Sequence, residues 1–78
     1  MTVELSRDTI LLSGACPAGE AEALLRLLCA DPGAAVDWRG CEEAHAAVIQ
    51  VLLAARPRLL GPPGGAFLRE RIAPLLDR

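Results

Sequence analysis

Apolar and polar residues alternate from the start of the chain: Val3 and Leu5 stand between Thr2, Glu4 and Ser6. A period of two turns one face of a strand inward, so Thr2 to Leu5 is predicted as a strand. Thr9 to Ser13, rich in β-formers at Thr9, Ile10, Leu11 and Leu12, is predicted as a second, with Gly14 ending it. Ser6-Arg7-Asp8 between them reads as a tight hairpin connection. The period changes after Cys16-Pro17. Ala21, Leu24, Leu25 and Leu28 recur at i, i+3, i+4 and i+7, the apolar stripe of a helix. Pro17 suits its first position, Glu20 and Glu22 suit the positive end of its dipole, and Asp31-Pro32-Gly33 stops it.

The short run Ala34-Ala35-Val36-Asp37 then lies between two helical patterns, where it reads as a buried parallel strand ending at Asp37. A second helix is expected from Glu42 to Ala55, bounded by Pro57, because the residue before a proline resists the α region. Arg58-Leu59-Leu60 is a short last strand, and Gly61-Pro62-Pro63-Gly64-Gly65 is a loop by composition. Phe67, Leu68, Ile72, Leu75 and Leu76 mark a third helix that Pro74 kinks or ends. The order β-β-α-β-α-β-α predicts an α/β fold: a small mixed sheet of about four strands with helices packed against it. It forms a single domain over 1–78, without internal repeat or linker.

The second helix is apolar nearly all round. Ala44, Val48, Val51, Leu52 and Ala55 make one stripe. Ile49 and Leu53 belong to another, together with His45, Ala46 and Gln50. Such a helix is buried on two sides. In a chain of 78 residues, the second side is covered either by the third helix or by a partner.

Composition narrows the function. The apolar share of 53% argues against disorder. The apolar runs are too short for a spanning helix, and the start of the chain lacks a basic region followed by an apolar run, so no signal peptide is expected. Net charge is −2, with eight scattered Arg and no Lys. That distribution makes no basic stripe, so neither nucleic acid nor a membrane surface is an expected partner. Cys16, Cys29 and Cys41 form no C-x-x-C pair and are expected as reduced thiols in the cytoplasm.

Chemistry is sparse. His45 is the single histidine and there is no tyrosine. Neither Ser6 nor Ser13 stands in a G-x-S-x-G turn, so no catalytic role is expected. Cys41 and His45 are four apart and fit one helix face, but two ligands do not make a zinc site; no metal and no cofactor is expected. The 61–65 loop lacks the lysine of a P-loop, and its two prolines remove phosphate-binding N–H donors. Asp37 at a strand end fits either a ligand site of an α/β sheet or the cap of the following turn.

This order of elements, with Ala35-Val36-Asp37 ending a strand and Gly40 three residues beyond, resembles the STAS domain family (sulfate transporter and anti-sigma factor antagonist). Ile49-Gln50-Val51-Leu52-Leu53-Ala54-Ala55 is similar to the helix that follows the family's Asp-Ser/Thr-Ser/Ala-Gly motif, and His45-Ala46-Ala47-Val48 stands where that motif would be. The resemblance implies a stand-alone member without the final strand and helix of longer ones. It also implies a protein-binding module switched by phosphorylation of the hydroxyl after the acidic residue. Here that position is Ala46, a degenerate phosphosite with no oxygen to accept a phosphoryl group. The expected function is therefore a non-catalytic adaptor in bacterial signalling, contacting its partner through Asp37, Trp38, His45, Ala46, Ile49, Gln50 and Leu53. The partner would be a regulatory kinase, a chemotaxis-type signalling protein or a transporter subunit. His45, a residue type that changes charge near neutrality, offers a different control. The alternatives are a structural subunit or obligate homodimer that buries the second helix, such as a cytoplasmic accessory subunit of a transporter, and a small ligand- or metal-binding domain built on Asp37, Cys41 and His45.

Overall fold

The computed structural model describes residues 2–76. Strands β1 (Val3–Ser6), β2 (Thr9–Cys16), β3 (Ala35–Ala44) and β4 (Leu59–Leu60) form one sheet in the order β1-β2-β3-β4. Helices α1 (Ala21–Ala30) and α2 (Ala46–Ala55) connect the strands, and a last helix spans 66–76. The β1–β2 hairpin is antiparallel, whereas β2–β3 and β3–β4 are parallel. The α/β class and the mixed four-stranded sheet are as the hydrophobic pattern indicates.

Each parallel link needs a helical crossover, and the crossovers supply the core. Ile10, Leu12, Val36 and Trp38 alternate onto one face of the sheet. There they meet Leu24 and Leu28 of α1, Val48 and Leu52 of α2, and Leu68 of the last helix in a single buried cluster. Between these positions, Glu4, Leu11, Asp37 and Leu60 pair across all four strands as one row on the opposite face.

Three boundaries differ from those the sequence suggests. Strand β2 does not end at Gly14 but runs on to Cys16; Gly14 takes a φ of 66° inside the strand, a conformation that suits a residue without Cβ. Pro17 does not open α1. It precedes a short 3-10 turn, Ala18–Glu20, and the Glu20 carboxylate there accepts from the Thr2 N–H and hydroxyl at 3.1 and 2.9 Å. The largest change is β3, which runs ten residues, well past Asp37, so Glu42 and Glu43 are strand residues and α2 begins only at Ala46.

The extra length of β3 is taken up in two bulges. Leu11 and Ser13 pair with Asp37 and Gly40, and Gly14 and Ala15 pair with Cys41 and Glu43. Each interval holds one more residue on β3 than on β2, and a bulge resets which side chain points inward. This is how Trp38 and Cys41, three apart and hence of opposite parity, are both buried.

The last helix passes through Pro74 instead of ending there. Its middle, Leu68–Ile72, is wound as a π-helix, in which the Ala73 N–H reaches the Leu68 carbonyl, and it closes with the α turn Ala73–Leu76. A proline ring collides with the carbonyl four residues back, here that of Glu70. The widened turn just before Pro74 relieves that collision. Among the described residues no helix is long and apolar enough to cross a membrane.

Candidate functional site

The junction of β3 and α2 carries most of the residues singled out in the sequence. His45 leaves the sheet with its N–H donated to the Cys16 carbonyl at 2.9 Å, which ties the junction to the end of β2. It is the N-cap of α2: its backbone is extended, and its Nδ1 accepts from the Ala47 N–H at 3.0 Å. This satisfies one of the donors that the first helical turn leaves free. The bond requires Nδ1 to be unprotonated, with the ring proton on Nε2. Ala46 is then the first helical residue, and His45, Ala46 and Gln50 are all exposed.

Two other residues of that surface are only half-exposed. Ile49 packs with Val51 against the core, and Leu53 is half-buried. Helix α2 touches both α1 and the 3-10 turn before it, and of the second apolar stripe only Ile49 and Leu53 are half-covered within the chain. The large apolar side chains left exposed stand elsewhere: Leu5, Leu25, Leu60, Phe67 and Leu75.

Asp37 and Trp38 do not join this surface. Asp37 lies near the start of β3, not at its end as the sequence suggested. Its Oδ1 accepts from the Arg39 backbone N–H at 3.1 Å and from Arg39 Nε at 3.0 Å, and its Oδ2 accepts from Nη2 at 2.8 Å. These bonds to Arg39 hold the carboxyl below its ordinary range. The carboxylate is thus engaged by Arg39 of its own strand and caps no turn, because β3 runs on past it. Trp38 points the other way, into the core, and is 3% exposed.

Cys41 and His45 do not share a helix face, because Cys41 is a buried strand residue and His45 an exposed cap. The neighbour of Cys41 is instead Cys16, with the two Sγ atoms 3.8 Å apart. The Cys41 thiol donates to the Glu43 carbonyl at 3.3 Å. Burial, followed by the nearby Cys16, pushes its pKa up to about 12. A thiol so placed is a poor nucleophile. Cys29 is exposed on α1. Among the described residues no three His, Cys, Asp or Glu side chains stand close enough to hold a metal ion.

The glycine-proline loop is a packing element. Gly65 donates its N–H to the Cys41 carbonyl at 3.0 Å. A Cβ there would collide with the Glu42 backbone carbonyl, and one on Gly61 would strike the Trp38 indole nitrogen. Arg69 secures the loop through Nη1, which donates to the Pro63 and Gly64 carbonyls at 3.4 and 3.2 Å. Sequence reasoning passed over Arg39, Arg69 and the Cys16–Cys41 pair. Only Arg39 had a local signal, since residues i and i+2 of a strand share a face.

No family model, no curated protein and no solved structure matches this chain.

Proposed function

We propose that this chain is a non-catalytic protein-binding module of STAS-like plan that docks the β3–α2 junction onto a partner in bacterial signalling or regulation. The observation that supports this is the exposure of His45, Ala46 and Gln50 on a rigid mount, held by the His45–Cys16 backbone bond and the Nδ1 cap. A backbone already fixed loses little further freedom on binding, which favours recognition. Half-buried Ile49 and Leu53 border the same helix and add apolar contact at the rim. The partner classes that fit are a regulatory kinase, a chemotaxis-type signalling protein or the cytoplasmic part of a transporter. Ala46 offers no hydroxyl, so binding is constitutive with respect to phosphorylation at this position.

The test is site-directed. A photo-crosslinking residue is placed at Gln50 in bacterial cells, and the adduct is identified by mass spectrometry. The purified partner is then titrated against wild type and Ala46→Arg. The proposal expects one dominant adduct with another protein, and binding at least about tenfold weaker for Ala46→Arg at unchanged thermal stability. A self-adduct would replace it with the homodimer reading. No adduct, or equal binding by Ala46→Arg, would overturn it. Ile49→Asp is unsuitable here, because Ile49 packs against the core.

A further inference from the structure

Away from the junction, a groove of about 490 Å³ opens between the start of the β3–β4 pair, the 61–65 loop and the last helix. Trp38, Leu59, Gly61, Pro62, Arg69 and Pro74 define it. Its volume is within the range of small-molecule sites. Trp38, nearly buried, meets the groove only by an edge, with its indole nitrogen next to Gly61. Among the described residues the indole N–H has no hydrogen-bond acceptor. Arg69 stands at the side with Nη1 committed to the loop carbonyls. Among the described residues, Nε and Nη2 of Arg69 have no protein acceptor.

The chemistry of this lining is one-sided. Its polar side chains are an indole N–H and a guanidinium, both donors without acceptor capacity. The remaining side chains are apolar or absent, and the prolines contribute flat, rigid walls with no N–H. An uncharged apolar molecule would leave the donors unpaired, and a cation would be repelled by Arg69. An anion with two oxygens in a plane matches the guanidinium fork, and a flat aromatic body matches the rigid proline surfaces.

We propose that this groove binds a small aromatic carboxylate, with the carboxylate on Arg69 and the ring against Pro62 and Pro74. The claim is independent of the protein-binding role of the β3–α2 junction, since the two sites share no residue that both require.

Trp38 is the only tryptophan in the chain, so a nitrogen–proton correlation spectrum contains a single indole resonance that reports on the groove. 2-Naphthoate is titrated into the labelled protein, with 2-naphthamide as the uncharged comparator of equal shape. The proposal expects saturable movement of the indole resonance by naphthoate, with a Kd on the order of 1 mM or tighter, and at least about tenfold weaker binding of the amide. Arg69→Gln should weaken naphthoate by about the same factor and leave the amide unaffected. No movement with naphthoate, or equal binding of acid and amide by the wild-type protein, would overturn it. That comparison stands even if Arg69→Gln perturbs the loop that Arg69 supports.

Discussion

Replacing Gly65 by alanine tests how the last helix is fastened to the sheet. The new Cβ would sit on the Glu42 backbone carbonyl, and the β3 main chain is not free to yield, because Glu42 is held within the strand. The loop must therefore retreat. It then loses the Gly65–Cys41 backbone bond of 3.0 Å. A buried carbonyl left without its donor costs about 1–3 kcal/mol. Shifting packed neighbours, including Leu68 at 1% exposure, adds roughly 1–3 kcal/mol of misfit. A total near 3 kcal/mol is a large fraction of the stability expected for a domain this size, about 4–12 kcal/mol. Two controls calibrate the effect. Gly14→Ala places a Cβ at a φ of 66° in open space and should cost about 1 kcal/mol, while Gly19→Ala meets nothing within 4 Å and should be near neutral. Urea unfolding followed by far-ultraviolet circular dichroism and by Trp38 fluorescence reads all three. If Gly65→Ala unfolds no earlier than Gly14→Ala, the loop is not clamped onto β3 as described.

The remaining predictions probe the junction, a helix end and the buried thiols. His45→Ala removes the cap on Ala47 and should cost about 1 kcal/mol, whereas His45→Asp retains an acceptor and should match or exceed wild type in chemical denaturation. Arg56 closes α2 at a φ of 50° and ψ of 52°. Arg56→Gly should therefore stabilise by about 0.5–1 kcal/mol, seen calorimetrically as a Tm rise of roughly 3–6 °C. In the folded protein iodoacetamide should modify exposed Cys29 and spare Cys16 and Cys41 until denaturant is added, as peptide mass mapping will show. The pKa of Cys41 is raised from an ordinary value of 9.0 to about 12, so above pH 9 the folded chain holds a proton that the unfolded chain releases. Its contribution is complete below pH 9 and declines toward pH 12, by up to about 1.4 kcal/mol per pH unit. Cys41→Ala should flatten that decline in denaturation curves taken between about pH 9 and pH 11.

The element order was legible because each crossover helix announces itself by a change of period, as at Ala21 to Leu28. The β3–α2 boundary was not, and the reason is physical. Glu42 and Glu43 resemble the acidic first turn of a helix, but here they occupy a bulged strand whose exposed positions tolerate charge. The true start is capped by a histidine nitrogen, outside the usual Ser, Thr, Asp and Asn set. Bulges leave no mark in a pattern of alternation except its failure, so Trp38 and Cys41 could not be assigned to the same buried side in advance. The same limit split the candidate site. Asp37 and Trp38 are adjacent in sequence to one another and near the junction in number, yet opposite parity sends one to Arg39 and the other to the core. His45, Ala46 and Gln50 stay together at the start of α2 because a helix start keeps sequence neighbours together.

The geometry of the cap bears directly on how the proposed module would be controlled. Ala46 is the first residue of α2, where a phosphate would meet the free N–H groups and positive end of a ten-residue helix. In a chain with a hydroxyl there, modification would add about −1.5 to −2 charge at the centre of the contact surface. Ala46 removes that lever and leaves the His45 imidazole as the one side chain bonded to the helix start among the described residues. Since Nδ1 is the cap acceptor, removing it frees the Ala47 N–H and loosens the first turn of α2 without altering the sheet beneath it. The prediction is a partner affinity that falls in His45→Ala but is kept in His45→Asn, whose side chain also caps. Equal affinity of the two variants, measured by titration calorimetry with the crosslinked partner, would show that the cap has no part in binding.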